Sequence, residues 1–121
     1  MNTDVTYGVY SISYQNKLLY IGSTNDFVRR KKEHLKKLKD GKHQKTLQKY
    51  INENVKNLND LKFEIIHKTQ DDSKIRLFFA EMICILLYKP ACNKAVFQIG
   101  MRYVSLGKPK VQFNKEILKY L

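Results

Sequence analysis

The run Phe78-Phe79-Ala80-Glu81-Met82-Ile83-Cys84-Ile85-Leu86-Leu87-Tyr88 is the longest apolar stretch of the chain, and it contains a single charge. Asp71-Asp72-Ser73 ahead of it offers helix N-caps, and Pro90 stops a helix shortly after Tyr88. The stretch is about half the ~20 residues that a membrane span requires. It therefore predicts a helix of a soluble fold, apolar nearly all round and so the buried backbone of the core. Glu81 is the anomaly in it. A carboxylate placed in apolar surroundings is costly unless a cation or hydrogen bonds compensate. Either Glu81 emerges on one wet stripe of the helix, or it holds a cation.

A chain of 121 residues supports one core and not two. Upstream of the apolar helix, Tyr7-Gly8-Val9-Tyr10-Ser11-Ile12-Ser13-Tyr14 alternates and is rich in β-branched and aromatic residues, which predicts a strand. Gln15-Asn16-Lys17 turns the chain into a second strand over Leu18 to Ile21, broken by Gly22-Ser23-Thr24-Asn25, and the short separation implies an antiparallel hairpin. Thr24 or Asn25 can cap a helix with Asp26 in its first turn and Phe27, His34, Leu35 and Leu38 as its less polar stripe. Asp40-Gly41 ends it. A second helix is predicted over Thr46 to Val55 and a third strand over Leu61 to Thr69. Residues 1-95 read as the domain, and 96-121 as a basic C-terminal extension packed on or next to it. In that tail, an extended piece is expected near Val96 to Val104 and a helix from Asn114.

Charge points to the partner. The sequence has 23 Lys plus Arg against 11 Asp plus Glu, a formal net charge of +12, which a polyanion would offset. Ten of those basic residues fall between Arg29 and Lys49, against only Glu33 and Asp40. With Tyr50 and His43 interleaved, the segment has the composition of a phosphate-tracking surface, although a solvated helix face looks much the same. Arg30 and His34 lie four apart, hence on one helix face. Gly22, between a strand and a helix start, would let a phosphate approach backbone amides and the helix amino terminus. The amino terminus has neither the basic start nor the apolar run of a signal peptide, so a cytoplasmic protein with no membrane partner is expected. Cys84 and Cys92 without a second pair argue against a zinc site or a disulfide scaffold.

One ordered set of residues gathers these points. Gly8-Val9-Tyr10 is followed after nine intervening residues by Tyr20-Ile21-Gly22, then by Arg30 and His34, by Gly41-Lys42-His43 and Leu47-Gln48, by Glu81, and by Asn93. The pattern resembles the GIY-YIG nuclease family, with Val9 in place of the middle Ile, and is similar to phage intron-type homing endonucleases. The resemblance covers roughly residues 6 to 95 and implies an α+β fold, a three-stranded antiparallel sheet flanked by helices. It also implies roles: Tyr10 and Tyr20 the paired hydroxyls, Arg30 the phosphate clamp, His34 the proton-relay partner, Glu81 the metal ligand, with Gly22, His43 and Asn93 in support.

Phosphodiester hydrolysis needs an activated water, neutralisation of the charge that builds on phosphorus, and help for the leaving alkoxide. A single carboxylate suits Mg²⁺, which keeps most of its waters, and Mn²⁺ is expected to substitute. A tyrosine whose pKa lies near ~10 is a poor base at neutral pH, so it must be helped by nearby cations or pass its proton to His34. Arg29, Lys32, Lys36, Lys37, Lys39, Lys42 and Lys45 are the expected DNA-binding residues. The expected function is thus metal-dependent DNA endonuclease activity, with a non-catalytic nucleic-acid-binding protein on the same fold as the alternative. A lone active site cuts one strand per encounter, so a monomer would nick and a homodimer could break both strands. The short tail argues against an appended recognition domain, and homing, phage interference and repair all remain open as biological settings.

Overall fold

The computed structural model describes residues 5–93 and 118–121. Its elements run β1 (Gly8–Tyr14), β2 (Lys17–Thr24), α1 (Phe27–Lys39), α2 (Lys45–Asn54), a 3-10 turn (Leu58–Asp60), β3 (Lys62–His67) and α3 (Lys74–Tyr88). The strands form one antiparallel sheet in the order β2-β1-β3. This is the three-stranded sheet flanked by helices that the resemblance implies, in the element order read from the sequence.

The β1–β2 turn is made by Gln15 and Asn16, both with positive φ (50° and 65°), the conformation that matches the twist of a two-residue hairpin. β2 does not stop at Ile21. It continues through Gly22, Ser23 and Thr24, which pair with Tyr10, Val9 and Gly8, so strand pairing overrides the weak β-propensity of these residues. The cap of α1 is accordingly Asp26, one residue beyond the predicted ones, whose side chain accepts from the Arg29 amide at 3.1 Å. Thr24 instead braces the corner, its hydroxyl contacting the Asp26 amide and carbonyl, each at 3.0 Å. α3 starts at the Ser73 cap and ends at Lys89 in the left-handed conformation, just ahead of Pro90.

Each face of the sheet carries its own core. On one, Tyr10, Ile12 and Leu19 pack with Leu38 of α1, Leu47 and Ile51 of α2, and Leu61. On the other, Val9 and Ile21 pack with Ala80, Ile83, Cys84 and Ile85 of α3, joined by Leu118. α3 is therefore not buried all round, contrary to its composition. A helix laid on a sheet can offer it only one face, and Ile75 and Phe78 stay 67% and 46% exposed on the outside. The expected extended piece over residues 96–104, and most of the expected final helix, lie outside the described residues.

The outer edge of β2 is closed by the chain after α3. The Ala91 and Cys92 amides donate to the Leu18 and Leu19 carbonyls at 3.1 and 2.8 Å. Asn93 then binds the Ile21 backbone from both ends of its amide, Oδ1 accepting at 2.8 Å and Nδ2 donating at 2.7 Å. The side chain does the work of a neighbouring strand, satisfying an edge that would otherwise be open.

Candidate active site

Tyr10 and Gly22 face each other across the β1–β2 ladder, and Tyr20 stands opposite Ile12 on the same sheet face. Gly22 is required by this pairing: a Cβ there would overlap the Tyr10 hydroxyl and ring carbon. The space expected to admit a phosphate is thus filled by the Tyr10 ring, and the glycine serves the tyrosine directly. The two rings stand 6.4 Å apart.

α1 contributes Arg30 and His34 from one face, as their spacing predicts. Arg30 Nε donates to Tyr10 Oη at 3.3 Å and its Nη1 pairs with Glu33 at 3.2 Å. Burial works to lower the Arg30 pKa, but Tyr10, Glu33 and Tyr20 outweigh it and raise the net value, so the guanidinium stays charged. His34 is buried, with Nε2 2.5 Å from Tyr10 Oη and Nδ1 2.6 Å from His43 Nε2. His43 sits in the α1–α2 connection, its Nδ1 accepting from the Gln44 amide at 2.7 Å and its own amide donating to Gln48 Oε1 at 3.0 Å. Desolvation, then the charges of Arg30 and of its neighbours, push the His34 pKa down to about 3. Desolvation with Lys37 and Arg30 pushes His43 down to about 4. Both rings are neutral at physiological pH.

Glu81 arrives from the opposite sheet face. It is part-buried on α3, and Oε1 accepts from Ser23 Oγ at 2.9 Å. Desolvation raises its pKa, opposed by the Ser23 hydrogen bonds and the Arg30 charge. Desolvation also raises Tyr10 and Tyr20, Glu81 adds to both shifts, and Arg30 opposes them. The four groups therefore sense one another across the sheet edge. A cleft of about 370 Å³ opens there, lined by Ser23, Arg29, Arg30, Glu33, Phe78 and Glu81 among others. Glu81 stands on the rim between core and water, and its burial favours a cation beside it. One carboxylate with a hydroxyl neighbour, and no cluster of three or more acidic, His or Cys ligands among the described residues, fits a divalent ion that keeps much of its water shell.

The predicted site residues divide by place. Tyr10, Tyr20, Arg30, His34, His43 and Glu81 converge on the cleft and the row of rings behind it. Asn93 holds Ile21, between Tyr20 and Gly22, and so supports the site from behind the strand. Arg29, Lys32, Lys36, Lys37, Lys39, Lys42 and Lys45 are all exposed; Arg29 lines the cleft, and Lys45 lines a second groove together with His43 and Lys49. Sequence reasoning missed Ser23 and Glu33, the first hidden in a segment read as a strand break, the second as one acid within a basic run. The i, i+3 spacing of Arg30 and Glu33 was the available signal for the latter.

A family model described as the GIY-YIG catalytic domain matches residues 6–94. Among solved structures, the catalytic domain of the homing endonuclease I-TevI is similar at 30% sequence identity and a TM-score of 0.57, covering 66% of this chain and 85% of that one. No curated protein matches the chain.

Proposed function

We propose a catalytic reading from one premise: the chain belongs to the GIY-YIG family and is an endonuclease. It hydrolyses phosphodiester bonds of DNA, with a divalent metal ion held by Glu81. The observation that carries this is that Arg30 shares an open cleft with Glu81 while donating to Tyr10 and facing Tyr20 behind it, although the tyrosines and Glu81 come from opposite faces of the sheet.

Arg30 points its guanidinium into the cleft while bonded to Tyr10, so it can bind a nonbridging phosphate oxygen and hold the reacting phosphate beside the tyrosines. Glu33 keeps that guanidinium oriented until a phosphate takes its place. Tyr10, lined up by Gly22 and His34, is the hydroxyl placed to exchange a proton with the attacking water. Tyr20 lies beside it as the second hydroxyl. A metal at Glu81 would supply charge neutralisation and a more acidic bound water. Mg²⁺ is the expected ion, with Mn²⁺ able to replace it.

The exposed basic residues of α1 and of the α1–α2 connection give the DNA backbone a path that meets the cleft at Arg29. One site per chain makes a single-strand nick the elementary event; a homodimer on one duplex would convert nicks to breaks. The test is conversion of supercoiled plasmid by purified protein. Open circles are expected with Mg²⁺ or Mn²⁺ and none with chelator or with Glu81→Gln. Wild-type protein that binds DNA yet cuts nothing with either ion would sink this reading and leave a binding protein on a nuclease fold.

A further inference from the structure

Behind the cleft, Tyr10 Oη, His34, His43 and the Gln44 amide form a row of hydrogen bonds whose direction can be read from one end. A backbone N–H only donates, so the 2.7 Å contact from Gln44 to His43 Nδ1 means that Nδ1 carries no hydrogen. A neutral imidazole without hydrogen on Nδ1 carries it on Nε2, so His43 donates to His34 Nδ1 across 2.6 Å. The same step applied again puts the His34 hydrogen on Nε2, facing Tyr10 Oη.

The other arrangements fail. If Tyr10 donated to His34, His34 would donate to His43, and His43 would hold a hydrogen on Nδ1 against the Gln44 N–H. A doubly protonated His43 meets the same clash. A doubly protonated His34 would leave His43 with no hydrogen at all. Charge on either ring is further opposed by burial and by Arg30 and Lys37. Arg30 Nε brings a second N–H to the same tyrosine oxygen at 3.3 Å.

We infer that the Gln44 amide, acting through His43, fixes His34 as a donor to Tyr10, so that His34 holds the tyrosine oxygen and does not take its proton. Two N–H groups then face that oxygen, so the hydroxyl hydrogen points to neither His34 nor Arg30. His43 touches no reacting atom and is a positioning residue. This rests on Tyr10 as the reacting hydroxyl, but the hydrogen placement itself does not depend on cleavage.

Long-range ¹H–¹⁵N correlation on the full chain with ¹⁵N-labelled histidine reads both rings directly. Hydrogen on Nε2 and none on Nδ1 is expected for His34 and His43 at neutral pH, with His43→Gln assigning the signals. Hydrogen on His34 Nδ1 overturns the inference. In plasmid cleavage, His43→Ala is expected to lower kcat by about 10–100-fold with KM within about twofold, because the His34 tautomer is no longer held. His43→Gln, which restores an N–H donor, should recover most of the loss. Unchanged kcat in His43→Ala, with His34 still in its Nε2–H form, overturns the role of His43. Wild-type protein that shows the expected tautomers but never cuts removes the nuclease reading and leaves the hydrogen-bond direction intact.

Discussion

The two faces of the sheet are built on opposite plans. Beneath α1 and α2 the core is threaded by a polar row, Tyr10 to His34 to His43, whose every ring nitrogen is engaged. Beneath α3 the packing is mainly aliphatic, with Glu81 at its rim. Buried polar groups are tolerated only when satisfied, and a satisfied network fixes geometry more narrowly than apolar contact does. The first face therefore sets the aim of Tyr10, and the second supplies mass to hold the strands and delivers one carboxylate to the edge where the faces meet. Substitutions on the first face should be read in the chemistry, and those on the second in stability, with Glu81 the exception.

That exception gives the largest expected effect. Glu81→Gln should lower kcat by about 10³-fold or more while leaving the melting temperature of the metal-free protein unchanged or raised, because a costly part-buried charge is removed. Calorimetry with added Mg²⁺ should show a rise in melting temperature for wild type and none for the variant. Next, Ile85→Ala opens a cavity in the α3 face and should cost about 3 kcal/mol in urea unfolding, with activity per folded molecule within about twofold of wild type. A comparable loss of activity in that variant would break the division between the faces.

Acid offers a test of the polar face alone. His34 and His43 are neutral when folded and take up protons near pH 6.5 when unfolded, so the unfolded state gains protons first as pH falls. Stability from this source is complete above about pH 6.5 and is lost as pH drops toward about 4 and then 3, amounting to roughly 2 kcal/mol for each ring by about pH 5. Titrating urea midpoints of wild type and His43→Gln should show the shallower acid dependence in the variant. Reversing Lys36, Lys37 and Lys39 to Glu should weaken DNA binding and flatten its salt dependence, and an unchanged slope would take that helix out of the DNA interface. Smallest, Glu33→Gln frees Arg30 from an ion pair that is largely open to water, and a rise of about twofold in affinity for DNA is expected by titration at low salt.

Much of this was legible before any coordinates. The alternation from Tyr7 to Tyr14, the caps at Asp71 to Ser73 and the stop at Pro90 each reflect local physics, and each element appears within a residue or two. Gly22, Ser23 and Thr24 were misread because their strand exists only through pairing with β1, a tertiary cause that no local preference reports. Tyr10, Tyr20, Arg30, His34 and Glu81 were named from their order in the chain, and the structure brings them together. What order could not give is the role of Ser23 against Glu81, the ring of Tyr10 filling the space beside Gly22, or a side-chain amide completing a sheet. Those are contacts between parts of the chain far apart in sequence.

The grip of Asn93 on Ile21 also has a consequence in time. A chain being synthesised makes both tyrosines, Arg30, His34 and Glu81 before it makes the residue that latches the second strand. Until then the outer edge of β2, met by Ala91 and Cys92 at Leu18 and Leu19, is left open at Ile21, between Tyr20 and Gly22. A nascent chain ending before Asn93 is expected to be cut readily by a protease within β2 and to leave DNA intact, whereas one extended past it resists. Cutting is thus expected only once the catalytic unit is almost fully made.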